Sequence, residues 1–408
     1  MTSRRVFLTS GGAALVSLGF APSFLARTVE AAGTRKKLLI AIFQRGAVDG
    51  LNMVVPYGDA GYYAARPTIA IARPGRDGGA LDLDGFFGLH PRMAALSPWW
   101  TSGQLAVVHA SGSPDTTRSH FDAQDYMESA TPGVKSTRDG WLNRYLQTRE
   151  AGHPLQAVSL TTQMPRTLQG HAPALAVRRL DDFALRPGGG TSAAVEAAYA
   201  SSRDGALHAT AAEAFDALRH LAASARAPYV PAAGVTYPRS PFGDALQEIA
   251  RLAKADVGLE IAFAESTQWD HHANEGGATG QIAARLDDFS RGLAALARDL
   301  GDRLADTVIV TMSEFGRAVA QNGSGGTDHG HGNAMLVLGG PVKGGHVYGR
   351  WPGLAPEMRH EGRDLAVTTD FRDVFAEIVV RHLGADATTA GTVFPGHTVR
   401  ASAFRGVL

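Results

Sequence analysis

The chain of 408 residues contains no cysteine. It can form no disulfide, present no thiolate nucleophile and build no cysteine-type zinc site. Any metal must be held by histidine, aspartate or glutamate side chains. Net charge is also missing: 39 Lys+Arg stand against 39 Asp+Glu. A general nucleic-acid binder needs a basic footprint, so that class is excluded. Beyond the N-terminus there is no run of about 18 apolar residues, so no stable membrane span is expected. Lysine is scarce, confined to Lys36, Lys37, Lys135, Lys254 and Lys343. What is abundant is glycine, with 48 residues, and histidine, with 15. With 44% hydrophobic and 19% charged residues the composition is that of a globular, loop-rich α/β protein.

The N-terminus reads as an address. Ser3-Arg4-Arg5-Val6-Phe7-Leu8 is followed by a mildly apolar stretch from Gly11 to Ala26, then by small residues at Ala31-Ala32. A charged n-region, an h-region and a small-residue cleavage site define a signal peptide. The arginine pair before Phe-Leu looks like a twin-arginine (Tat) signal. Gly12, Gly19 and Pro22 break the h-region, which argues against a permanent anchor. Residues 1–32 are thus assigned to export by the Tat machinery and 33–408 to one mature domain, periplasmic or secreted.

Along the mature chain, strand and helix signals alternate. Lys37–Phe43 is a continuous apolar run, as in a buried parallel strand, and Leu105–Ala110, Asp306–Met312 and Met335–Leu338 read as further strands. Ile282, Leu286, Phe289, Leu293, Leu296 and Leu300 recur at helical spacing, and Phe371, Val374, Phe375 and Ile378 mark a late helix. The expected fold class is α/β with a largely parallel central sheet. Residues 186–242 differ: an Ala-rich helical stretch lies between Pro187-Gly188-Gly189-Gly190 and Pro228, Pro231 and Pro238, and reads as a helical insertion.

Four polar clusters follow strands or sit in Gly-rich loops: Asp49–Asn52, Thr116–His120, Asp270–Glu275, and Glu314 with Asp328–His331. The loops at the C-terminal ends of parallel strands share one sheet edge, so these clusters are expected to converge. Asp270, His271 and His272 offer oxygen and imidazole ligands within one loop, and His329 and His331 flank a flexible Gly330. With Asp49 they make a two-metal set of oxygen and nitrogen donors. Glu314, directly after a strand, is either a ligand or acid–base group or the partner of Arg317. Thr116, Arg118, Ser119 and His120 form the candidate catalytic group. Ser119 at a helix start is a nucleophile or a plain N-cap, and Arg118 suits a phosphate or sulfate oxygen. His90 and His109 read as structural histidines.

The motifs Gln44-Arg45-Gly46-Ala47-Val48-Asp49-Gly50-Leu51, Leu89-His90-Pro91, Arg118-Ser119-His120-Phe121, Asp270-His271-His272, Ser313-Glu314-Phe315-Gly316-Arg317 and Asp328-His329-Gly330-His331-Gly332 together resemble an exported bacterial family known as domain of unknown function 1501. That family resembles the sulfatase-like branch of the alkaline phosphatase superfamily. The resemblance implies an alkaline-phosphatase-like α/β/α sandwich and one or two divalent metal ions (Zn, Mg, Mn or Ca) beside a hydroxyl nucleophile. It implies Asp49, Asp270, His272, Glu314 and His329 or His331 as ligands. It places Thr368-Thr369-Asp370-Phe371 before the last core helix. The Cys/Ser-x-Pro-x-Arg arrangement of sulfatases is absent, which leaves Thr116 or Ser119. The function implied is an exported metal-dependent hydrolase of phosphate or sulfate esters, acting on an anionic ester or glycan. A non-catalytic exported binding protein, or a metal-dependent enzyme of another reaction class, are the alternatives.

Overall fold

Strand β1 (Leu38–Gln44) is an unbroken buried run, and its side chains alternate between two cores. Leu38, Ile40 and Ile42 enter one, while Leu39, Ala41 and Phe43 enter the other. A strand buried on both faces belongs in the middle of a three-layer α/β/α sandwich. The coordinates are a computed structural model, which describes residues 36–149, 154–180 and 229–408. The proposed signal peptide, and the expected insertion up to residue 228, lie outside the described residues.

Further strands are β2 (Val54–Val55), β3 (Leu81–Asp82), β4 (Gly88–Leu89), β5 (Leu105–Gly112), β6 (Ala157–Ser159), β7 (Leu175–Ala176), β8 (Ile261–Ser266), β9 (Thr307–Met312), β10 (Asn333–Gly339), β11 (Val347–Tyr348) and β12 (Thr369–Asp370). Nine of them form the central sheet, in the order β11-β5-β10-β9-β1-β8-β6-β7, with β12 also on β5. Every pairing is parallel except those of β10, which runs against both β5 and β9. The largely parallel sheet expected from the sequence is present, with one reversed strand. Strands β2, β4 and β3 make a small separate sheet.

The main helices are α1 (His120–Ser129), α2 (Trp141–Gln147), α3 (Pro241–Lys254), α4 (Gln281–Leu300) and α5 (Phe371–Glu377). Helix α3 starts where Ser240 accepts from the Gly243 N–H and Pro241 occupies the first turn, the combination that favours a helix start. Helices α3 and α4 cover one face, with the Phe242 and Phe289 rings stacked 5.3 Å apart. On the other face Trp141 of α2 stacks on Phe375 of α5 at 4.5 Å. Fully burying one such aromatic side chain is worth about 1.5–3 kcal/mol, so these faces hold the sheet rigid beneath its loops. Among the described residues no helix is long and apolar enough to cross a membrane.

Candidate metal centre

Strands β1, β5, β8 and β9 all end at one edge of the sheet. Strand β10 begins there, because it runs the other way. The segment entering β10 therefore meets the loops leaving the parallel strands. Residues 316–318 pair with 328–331 across this edge: Gly330 N donates to Gly316 O at 2.7 Å and Ala318 N to Asp328 O at 2.9 Å. The approach is close enough to require glycine. A Cβ on Gly330 would stand 2.3 Å from the Arg317 carbonyl carbon. Gly46 has φ +110°, and a Cβ there would stand 2.8 Å from the Asp270 amide nitrogen.

At this edge three imidazoles and one carboxylate meet. His329 Nε2 lies 3.0 Å from His120 Nε2 and 2.9 Å from His272 Nε2. Asp270 Oδ1 lies 3.0 Å from His272 Nε2 and 3.3 Å from His329 Nε2, and Asp270 Oδ2 is 3.6 Å from His120 Nε2. Each ring is held from behind through Nδ1. His329 Nδ1 faces the Arg118 carbonyl oxygen at 2.9 Å, His120 Nδ1 faces Glu314 Oε1 at 3.3 Å, and His272 Nδ1 faces Asp328 Oδ1 at 3.5 Å. These partners are acceptors, so they assign the ring proton to Nδ1 and leave the Nε2 lone pair free on the far side of each ring. The ligand atoms of His120, Asp270 and His329 all lie within 4.8 Å of one another. Zinc held at 2.0–2.1 Å by tetrahedral ligands sets them about 3.3 Å apart, so both the donor chemistry and the spacing fit a divalent ion.

Electrostatics sharpens the arrangement. Burial works against ionisation of Asp270, but the Arg317 guanidinium, 2.8 Å from Oδ1, prevails and lowers its pKa. Glu314 is likewise buried, yet His120 and the N–H groups of Gly46 and Ala47, at 2.7 and 2.9 Å, keep it a carboxylate. Its hydrogen bond raises His120, whereas burial lowers His329.

The structure brings together His120, Asp270, His272 and His329, with Glu314 and Asp328 directly behind them. Glu314 stands behind the cluster: its oxygens accept from Gly46, Ala47, Gln124, Ser313 and His120, so it acts as an anchor for the ring. Asp49 is not joined to the cluster either. It is 1% exposed and ion-paired with Arg66, whose Nη2 donates to Asp49 Oδ1 at 3.0 Å. His331 stacks on His360, with ring centroids 4.4 Å apart. The Arg118 guanidinium is engaged by Asp364 and Glu361 at 2.6 and 2.7 Å, which leaves its carbonyl as the functional contact. Ser119 starts α1 but makes no capping bond, and both Ser119 and Thr116 are exposed.

Arg317, one of the two partners weighed for Glu314, holds Asp270 instead. Arg66, Thr327 and Gln124 carried no sequence signal, because single Arg, Thr and Gln residues acquire meaning only from what folds against them. His90 and His109 are structural, as expected: their Nε2 atoms contact the Gly277 and Val54 carbonyl oxygens, each at 3.0 Å.

An α/β/α sandwich with an imidazole–carboxylate cluster at the strand ends defines the class of this protein. The chain belongs to the family described as Protein of unknown function (DUF1501), whose model matches residues 87–400. No curated protein matches it. Among solved structures it is similar to the C-terminal periplasmic domain of EcEptC from Escherichia coli in complex with Zn, at 10% identity and TM-score 0.40, covering 89% of this chain and 88% of that one. It is also similar to the PsFucS1 sulfatase from Pseudoalteromonas sp., at 14% identity and TM-score 0.35, covering 93% and 78%. A third is the lipoteichoic acid synthase LtaP from Listeria monocytogenes, at 8% identity and TM-score 0.34, covering 77% and 71%.

Proposed function

We propose that this chain is an exported metal-dependent hydrolase of phosphate or sulfate esters. The observation that carries the reading is the set of three imidazoles, each anchored through Nδ1, with their Nε2 atoms gathered around Asp270. His120, Asp270, His272 and His329 would hold the ion. A bound divalent ion supplies positive charge that polarises an ester oxygen and lowers the pKa of a nearby hydroxyl or water.

The chain's own groups supply the rest. Ser119 immediately precedes His120, and its hydroxyl is exposed and unbonded, as a nucleophile requires. Because that hydroxyl does not cap α1, the first-turn N–H groups of the helix remain open to an anionic ester oxygen. Thr116 is the second exposed hydroxyl on the same loop. Arg118 fixes this loop: its guanidinium grips Asp364 and Glu361 while its carbonyl sets the His329 ring. The N-terminal arginine motif supports delivery to the periplasm or beyond by the Tat route.

The test is metal analysis of the purified mature protein, combined with assays on an aryl phosphate and an aryl sulfate. Co-purifying metal, turnover of one ester, and its loss in Ser119→Ala with metal content unchanged is the expected result. Absence of metal overturns the reading. Metal without turnover of either ester transfers the site to another reaction class or to binding.

A further inference from the structure

Behind the cluster runs a chain of buried polar groups that the histidines do not use. Arg317 is 1% exposed; besides its bond to Asp270, its Nε donates to Thr327 Oγ1 at 3.2 Å. The Thr327 hydroxyl, having accepted there, donates its single hydrogen to Glu275 Oε2 at 2.8 Å. Glu275 is wholly buried, and no donor from another residue faces its Oε1. The charge of Asp49 acts on this carboxyl. Asp49 is in turn gripped by Arg66, whose five N–H groups are taken up by Asp49, Asn52 and the carbonyls of Ala318 and Val319.

Two buried carboxyls that feel each other's charge are costly to ionise together. Arg66 settles which one keeps the charge. Despite burial it holds Asp49 low, whereas burial and the Asp49 charge raise Glu275 well above the usual carboxylate range. Glu275 accepts at Oε2 from the Thr327 hydroxyl. With its oxygen accepting from Arg317 and its hydrogen given to Glu275, the Thr327 hydroxyl is committed to one orientation.

We propose that Glu275 is a positioning residue for the candidate metal centre: by accepting from the Thr327 hydroxyl it orients that group, and through Arg317 it fixes the Asp270 carboxylate. The inference deepens the reading of that centre and rests on it only for what Asp270 goes on to hold.

The experiment uses the full mature chain and four variants: Thr327→Val, Thr327→Ser, Glu275→Ala and Glu275→Gln. Metal-free crystal structures read the Arg317–Asp270 contact, and titration with Co(II) alone reads affinity and the visible spectrum. Thr327→Val is nearly isosteric and keeps the test open should Glu275→Ala fail to fold. In Thr327→Val and Glu275→Ala the contact between Arg317 and Asp270 is expected to open, with Co(II) affinity reduced roughly tenfold or more and an altered spectrum. Thr327→Ser restores both, and Glu275→Gln, which keeps an oxygen for the Thr327 hydroxyl, resembles the parent. The proposal is overturned if Asp270 keeps its contact with Arg317 in Thr327→Val, or if Glu275→Gln behaves as Glu275→Ala does. Should the parent protein bind no Co(II), the metal reading fails by itself, and the crystallographic contact still decides this inference.

Discussion

His329 Nδ1 lies 2.9 Å from the backbone carbonyl oxygen of Arg118, two residues before His120. One short loop therefore supplies an imidazole to the cluster and also fixes the tautomer of its neighbour. The Arg118 guanidinium, tied to Asp364, prevents that carbonyl from turning away. The two rings cannot be displaced independently, which is how a site is held rigid when it is built from loops.

Removing a ring or its anchor should weaken cation binding by different amounts. Zinc titration calorimetry is expected to show no measurable binding for His329→Ala. Glu314→Gln should lose about 10–100-fold in affinity, since only the orientation and basicity of His120 change. Equal losses in the two variants would place Glu314 among the ligands.

Arg66 and Asp49 form a buried pair with 0% and 1% side-chain exposure. Arg66→Met leaves the Asp49 charge uncompensated, and the expected loss is about 3–5 kcal/mol in chemical denaturation. A loss below about 1 kcal/mol would mean that water reaches Asp49.

Burial lowers His90 and His109 to about 4, so both are neutral in the folded state. Unfolded histidine titrates near 6.5. Folded values below the unfolded one give stability that is complete above pH 6.5 and lost as pH falls toward 4. Each contributes roughly 3 kcal/mol to that loss. Denaturation midpoints measured from pH 7.5 to 4.5 should fall, and His109→Gln should be less stable at pH 7.5 but decline less steeply. An unchanged slope in that variant would assign the acid sensitivity to other groups.

Gly330→Ala places a Cβ 2.3 Å from the Arg317 carbonyl carbon and 2.4 Å from its oxygen. Backbone cannot yield as a side chain end does, so the 316–318 and 328–331 segments must separate. The expected outcome is a stability loss of about 1–3 kcal/mol, together with loss of Co(II) binding, read by thermal melting and visible absorption. Retention of the Co(II) spectrum would show that His329 is placed without this pairing.

Strands β1, β5, β9 and β10 were legible because each carries a stretch of apolar residues, and helix α4 because its apolar residues keep a 3–4 spacing. Strand β8 was not: Ile261-Ala262-Phe263-Ala264-Glu265-Ser266 has two small residues and a charged end, although it lies beside β1 in the sheet. The site was legible as chemistry but not as geometry. His272 and His329 stood in dense motifs, and the sheet-edge rule brought them together. That Asp49 belongs to Arg66 was hidden, because nothing local pairs residues 17 positions apart. Nor does a sequence display a backbone acceptor such as the Arg118 carbonyl.

The register of β1 has a kinetic consequence. Its two neighbours arrive from far along the chain: Leu39 aligns with Ile261 of β8, and Leu38 with Thr307 of β9. A chain that has not yet presented both segments has a sticky, unpaired apolar strand and no site at all. Long-range parallel pairing of this kind slows folding and leaves exposed edges open to aggregation. Capture of a cation at His120, Asp270, His272 and His329 would thus report that the chain has closed around its own beginning.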